Sequence, residues 1–226
     1  CSEMLERLVD GVVQLHGGYG FVEDYPAERA YRDSRINKIF EGTNEINRLI
    51  ISGWMLKRSM QGRLALLPAI QRVMDEVIAG PQSRDERSGD LAAQHLLLAN
   101  AKKMTLFCAG AASEKFGAEL ADQQEIMGAL ADMIMEVLVL ESAILRAEKM
   151  QRRSPLALKM TKYYAARSFR VLETAAERIL GAVAEGDMLR TRMTILRRFA
   201  KHEPENTFLL GREIATAITE AGRYTL

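Results

Sequence analysis

From about residue 61 onward almost every stretch of this chain repeats its apolar residues at the spacing of a helix, and none alternates them in the two-residue period of a strand. That pattern restricts the fold to packed helices. The periodicity predicts helices over about 61–79, 91–117, 119–152, 155–184, 187–201 and 205–222. The breaks between them fall at Gly80-Pro81, Gly117, Ser154-Pro155, Gly186-Asp187 and the run His202 to Pro204, where glycine stops, serine caps and first-turn prolines belong. Residues 81–90, PQSRDERSGD, read as a linker. Long helices joined by short connections are the sequence form of an up-and-down bundle, so residues 61–226 are expected to form one.

The first sixty residues have another character. A helix over residues 2–15, with Met4, Leu5, Leu8, Val12 and Leu15 on one face, stops at His16-Gly17-Gly18. Periodicity then fades through Gly20, Pro26 and the charged run of 29–35, which reads as a loop and a short helical turn. A second helix starts at Thr43, with Thr43 as N-cap, Glu45 in the first turn and Ile46, Leu49, Ile50, Trp54 and Met55 as the buried face. Two helices cannot bury a core by themselves, so residues 1–60 are expected to pack on something else.

Composition agrees and removes other classes. With 48% hydrophobic, 27% charged and 6% aromatic residues and 5 prolines, the chain is a helix-rich globular protein rather than a disordered or all-β one. Its 31 basic and 30 acidic residues nearly cancel, which leaves no overall electrostatic footprint for nucleic acid. Cys1 and Cys108 stand far apart, with no CxxC and no histidine at ligand spacing, so neither a zinc site nor a disulfide scaffold is expected. No apolar run is long enough for a membrane span, and the start of the chain is not patterned as a signal peptide.

Chemistry concentrates in QLHGGYGFVEDYPAERAYRD, from Gln14 to Asp33, and INKIFEGTNEINR, from Ile36 to Arg48. Read alone, Gly17-Gly18 ends a helix, Glu41 is a solvated charge before a helix start, and Phe40 is a packing residue. Taken together, Gln14, Gly17, Gly18, Gly20, Phe21, Asp24, Arg29 and Asp33 fill every position of a signature of the acyl-CoA dehydrogenase family. The Glu-Gly-Thr of Glu41, Gly42 and Thr43 follows at the family spacing. Residues 1–60 thus resemble the last part of that family's C-terminal helical domain. The tail of 61–226 is similar to the appended helical bundle of its very-long-chain branch. The fold class that follows is all-α.

The resemblance implies a flavoprotein that removes the α-proton of a fatty, long-chain acyl-CoA while a hydride leaves the β-carbon for FAD, giving a trans double bond. It implies Glu41 as catalytic base, its pKa raised toward working pH by burial under substrate. It places the backbone N–H of the same residue on the thioester oxygen beside a flavin hydroxyl. Gln14, Gly17 and Gly18 match positions that contact the FAD of a neighbouring subunit, and glycines there let backbone N–H groups approach an anion. Thr43 and Glu45 match positions at the FAD adenylate, although a carboxylate near phosphate is unfavourable. Phe40 and Gly42 match the wall of the thioester pocket. Arg32 and Asp33 are expected to be a structural ion pair.

The partners implied are fatty acyl-CoA, an electron-transferring flavoprotein as electron acceptor and a second copy in a homodimer. The expected location is the bacterial cytoplasm or the mitochondrial matrix, with peripheral contact to the inner membrane as an added option. The family's remaining domains lie outside this sequence, so the piece alone is expected to be inactive, with Glu41 poorly shielded.

The tail has two further features. Glu125, Glu136 and Glu141 lie in a mostly apolar stretch without the Glu-x-x-His pairs of a di-iron site, so they are expected to be solvated or to bond neighbouring helices, with no metal. Residues 187–201 place Leu189, Met193, Leu196 and Ala200 on one face and Arg190, Arg192, Arg197, Arg198 and Lys201 off it. Such a basic amphipathic helix reads either as ordinary surface packing or as a membrane-docking element. On the second reading the chain is a non-catalytic module for oligomerisation or membrane contact.

Overall fold

A computed structural model describes residues 1–80, 88–150 and 154–226. The linker expected at 81–90 falls mostly outside the described residues, as do the last residues of the helix expected to end near 152. The described residues carry no strand, and the chain is all-α. It divides into two compact units, Cys1–Ile51 and Ser52–Leu226.

The first unit holds α1 (Ser2–His16), α2 (Pro26–Arg35) and the start of α3 (Asn44–Met60), with 3-10 turns at Gly17–Gly20 and Ile36–Lys38. Where a short turn was expected, α2 is a ten-residue helix. Pro26 occupies its first position, where a missing N–H costs nothing, and Arg32 pairs with Glu28 one turn back at 2.5 Å. Asp33 is therefore not the partner of Arg32, because adjacent residues on a helix point in different directions. The apolar faces expected to be buried are largely open: within α1 only Val9 is buried, and within α3 only Ser52. Met4, Leu8, Leu15, Ile46, Ile50 and Trp54 are all exposed.

In the second unit, α4 (Leu66–Ala79) precedes three long helices, α5 (Ala92–Phe116), α6 (Gln124–Met150) and α7 (Pro155–Val183). Two shorter ones follow, α8 (Gly186–Ala200) and α9 (Thr207–Ala221). Paired side chains fix the direction of α5 against α6: Lys102 bonds Glu141 and His95 bonds Glu148, each at 2.6 Å, so the helices run antiparallel. On α7 pack α5, α6, α8 and α9, which makes it the central element, while α4 lies on α5. Ala101, Met104, Cys108, Ala131, Met133, Ile144, Ala165, Phe169, Leu172 and Leu180 form the core of this unit. The recurring alanines let the long helices approach closely.

Ser154 caps α7 as expected, its Oγ accepting from the Ala157 N–H, and Asn206 caps α9 in the same way from Leu209. The helix expected from residue 119 begins at Gln124, because Gly117–Asp122 forms a 3-10 turn first. Similarly, the helix expected from 61 begins at Leu66, after a turn in which the Arg63 and Leu64 N–H groups bond the Arg58 carbonyl. Of the three tail acids, Glu136 accepts from Tyr164 and Ser168 on α7, Glu141 from Lys102 on α5, and Glu125 is exposed.

Cys108 is fully buried in this core, and burial pushes its thiol up to about 12. Cys1 is exposed. Alkylation of the native chain at neutral pH is expected to label Cys1 alone, with Cys108 reacting only on unfolding. Labelling of both at similar rates under native conditions means that the α5 core opens far more readily than its packing implies.

Candidate functional site

The residues singled out by the sequence gather at two places on the first unit. One is the C-terminal corner of α1. The Gly17 N–H closes the helix on the Gln14 carbonyl, and the chain then turns tightly through Gly17–Gly20. Gly20 is obligatory for packing, because a Cβ there would stand 2.5 Å from the Val13 carbonyl oxygen. At Gly18 a Cβ would meet nothing within 4 Å, so nothing inside the unit demands glycine at that position. Gln14, Gly17 and Gly18 are all exposed together.

The other place is the loop that leads into α3. Glu41 has φ +54°, which makes it the single non-glycine residue in the left-handed region among the described residues. A Cβ clash makes that conformation costly for glutamate, by roughly 1–2 kcal/mol. Gly42 follows at φ +92°, where glycine is the natural occupant. The loop is held from within by Asn47, whose Nδ2 donates to the Gly42 carbonyl at 2.9 Å. Thr43 caps α3 as expected, its Oγ1 accepting from the Ile46 N–H at 3.2 Å. Glu45 is exposed and turns back on the same helix start. Its own backbone N–H and the Thr43 hydroxyl hold its carboxyl below the ordinary value. Phe40 and Glu41 are exposed on the surface of the unit.

What fixes this loop is a set of polar contacts from the N-terminal half of α1 that sequence reasoning missed. Ser2 Oγ donates to Asn44 Oδ1 at 2.9 Å. Glu3 accepts from Arg48 at 2.6 Å and from Asn44 at 3.3 Å, and Lys38 Nζ donates to both oxygens of Glu6 at 2.6 and 2.8 Å. Residues 38, 44 and 48 bracket Glu41 and are each tied to one helix. The partners lie more than thirty positions away in sequence, so no local spacing could have disclosed them.

Partial burial raises the Glu3 carboxyl, but the hydrogen bonds from Arg48 and Asn44 outweigh it and the net shift is downward. Glu3 and Glu45 both ionise below their ordinary value of 4.5, so the stability each contributes is present above that value and is lost as the pH falls through the lowered one. Protection of the Ile46 and Asn47 amides against hydrogen exchange, corrected for intrinsic rates, is therefore expected to persist down to the ordinary value of 4.5 and to drop as the pH falls through the lowered one. Glu3→Gln should weaken the same amides at neutral pH, by about 1 kcal/mol or less because the pair is partly exposed. Unchanged protection in that variant would remove Glu3 as the anchor of the loop.

The two clusters do not meet. Glu3 anchors one, Gln14 belongs to the other, and the α1 axis between them measures about 16 Å. Any site using both ends within one copy must be as long as the helix.

This fold and site define a helical segment carrying the acyl-CoA dehydrogenase signature, and the chain belongs to that family. Two models described as acyl-CoA dehydrogenase, C-terminal domain, match it, one over residues 1–56 and the other over 100–198. A probable acyl-CoA dehydrogenase of Bacillus subtilis is 41% identical over the whole chain, which covers 39% of that protein. The crystal structure of an acyl-CoA dehydrogenase complexed with FAD from Bacillus anthracis superimposes with a TM-score of 0.95 at 42% identity, again over 100% of this chain and 39% of that one. A shorter likeness, 44% over 58 residues, links 26% of this chain to 15% of the caffeyl-CoA reductase-Etf complex subunit CarC of Acetobacterium woodii. The chain thus spans about two-fifths of the length of the relatives that it matches from end to end.

The helix of 187–201 departs from expectation. Arg192 lies inside, with its guanidinium 2.8 Å from Glu114 on α5 and directed at the Val183 carbonyl, and Phe199 is buried beside Leu196. Arg190 pairs with Asp187 at the surface, and Arg190, Arg197, Arg198 and Lys201 are all exposed cations of that segment. Among the described residues no helix is long and apolar enough to cross a membrane.

Proposed function

We propose that this chain supplies one wall of the active site of a FAD-dependent acyl-CoA dehydrogenase, with Glu41 as the base that takes the α-proton of a fatty acyl-CoA. The observation that carries the proposal is the backbone of Glu41. A glutamate held at φ +54° is disfavoured on folding grounds, and polar ties on both sides of it keep the loop in place. Strain of this kind persists where it serves a site.

The residues present fit FAD at one place more clearly than at the other. Gln14, Gly17 and Gly18 form an exposed corner in which a Cβ at Gly17 or Gly18 would meet nothing, open enough for close approach of a dinucleotide. Thr43 and Glu45 already satisfy each other and the start of α3, so contact with an adenylate requires them to exchange those bonds. FAD, when bound, provides the acceptor for the β-hydride. The chain's own contribution is to hold the Glu41 carboxylate at the α-carbon and accept the proton. Phe40 and Gly42 on either side supply an apolar wall and a close backbone approach.

The separation of the two clusters along α1 supports a homodimer in which the Gln14 corner serves the site of the other copy. The open apolar faces of α1 and α3 support further covering by protein: Leu15 is 88% exposed, and Met4, Leu8, Ile46 and Ile50 are exposed as well. By the same reading residues 1–60 act as the end of the family's C-terminal helical domain and 61–226 as the appended bundle. An electron-transferring flavoprotein is the proposed acceptor, in keeping with the Etf complex named for one relative. Long-chain acyl-CoA is the proposed substrate class. Membrane docking through 187–201 is not favoured, since Arg192 faces inward and is held by Glu114.

The test is anaerobic reduction of the flavin by saturated acyl-CoA thioesters of increasing length in the full-length protein, first with Glu41 and then with Glu41→Gln. Bleaching by long chains that the variant loses supports the proposal. Equal bleaching by both forms removes Glu41 as the base.

A further inference from the structure

Between α4, α5 and α8 lies a cleft of about 300 Å³, entirely within the second unit. That volume is at the lower end of the range for small-molecule sites, about 300 to 1,000 Å³. Its walls are apolar, with Ile70 and Met74 from α4, Phe107 and Ala111 from α5, and Met188 and Ile195 from α8. The floor is narrow because α4 closes tightly on α5 at Gly110, where a Cβ would come within 2.6 Å of the Ile70 Cγ2.

Two charged groups line this mostly apolar space, Arg192 and its partner Glu114. Arg192 is 8% exposed, and its hydrogen bonds go to Glu114 Oε2 at 2.8 Å and, at 3.5 Å, to the Val183 carbonyl. A guanidinium carries five N–H donors in a planar fork, so donor capacity remains at the wall of the cleft. The Glu114 side chain is 68% exposed and can turn out to water at little cost. A buried arginine with a removable carboxylate is a receptor for another carboxylate: exchanging one for the other keeps the cleft neutral and preserves a charge-assisted pair.

We propose that this cleft is a second ligand site, separate from the Glu41 cluster, for the carboxylate of a short- or medium-chain fatty acid. The head group pairs with Arg192 in place of Glu114, and the chain lies along Met74, Phe107 and Met188. The volume admits a chain such as octanoate. Because binding here uses none of the Glu41 cluster, the proposal does not depend on the catalytic reading.

The test uses the chain of residues 1–226 with 13C-methyl methionine and a titration of octanoate below its aggregation range. Saturable shifts confined to the Met74 and Met188 methyls are expected. Arg192→Met, which keeps an unbranched apolar side chain in that position, should weaken the affinity at least about tenfold, the loss expected for a hydrogen bond to a charged group. Glu114→Gln should tighten it, since the competing carboxylate is gone. That opposite sign keeps the proposal open to refutation if Arg192→Met does not fold. Octanol should bind at least about tenfold more weakly than octanoate. Shifts spread over methionines outside the cleft, equal affinity for octanol, or weaker binding by Glu114→Gln would each overturn the assignment.

Discussion

Glu41→Gln in the full-length protein is expected to slow anaerobic flavin reduction by acyl-CoA by about 10²- to 10⁴-fold, the usual range for loss of a positioned general base. Glutamine keeps the size and hydrogen-bonding shape of the side chain but cannot accept the proton, so binding of acyl-CoA should change little. The backbone provides an independent check that needs no substrate. At φ +54° any residue with a Cβ is strained, whereas glycine is not. Glu41→Gly should therefore be more stable than Glu41→Ala by about 1 kcal/mol, even though glycine has the greater freedom to lose on folding. Both substitutions remove the carboxylate, so both should be inactive. An alanine variant as stable as the glycine one means that the loop is not strained, and the structural argument for Glu41 falls even if the residue is catalytic.

The helices were legible where burial follows period. Residues 92–116, 124–150 and 155–183 repeat apolar residues often enough to be read as helices, and the end of the first follows from Gly117 and the start of the last from Ser154 and Pro155. Helix α2 was under-read because its sequence, PAERAYRDSR, buries only Ala27 and Ser34 and so offers no apolar stripe. Arg192 was misplaced for the converse reason. Counting arginine as polar assigns it to solvent, and its burial rests on Glu114, 78 positions earlier, together with the Val183 carbonyl. The proposed site was suggested by a motif. Its geometry was not, because a glutamate gives no sign of a left-handed backbone and the anchors Glu3 and Glu6 look like ordinary helix-surface charges. The separation of Gln14 from Glu41 was equally hidden, since it depends on which end of α1 receives Asn44 and Arg48.

Phe169→Ala should be the most damaging single truncation in the second unit, at about 3–5 kcal/mol. Phe169 is fully buried on α7, the helix on which α5, α6, α8 and α9 all pack, and its ring meets His202 edge-on at 4.9 Å between centroids. Truncation leaves a cavity where several helices converge, and long helices that interdigitate through alanines cannot move in to fill it without shifting as whole rods. Against a total stability on the order of 5–15 kcal/mol, the loss is a large fraction. For a unit of this size it corresponds to a fall in Tm of roughly 10 °C. Phe169→Leu, which retains most of the volume, should cost under about 1.5 kcal/mol. Phe208, at 82% exposure on α9, provides the control: Phe208→Ala should stay within about 0.5 kcal/mol. Chemical denaturation of the three variants tests the order. If Phe208→Ala proves as costly as Phe169→Ala, the surface of α9 is covered in solution and α7 is not the element on which the unit depends.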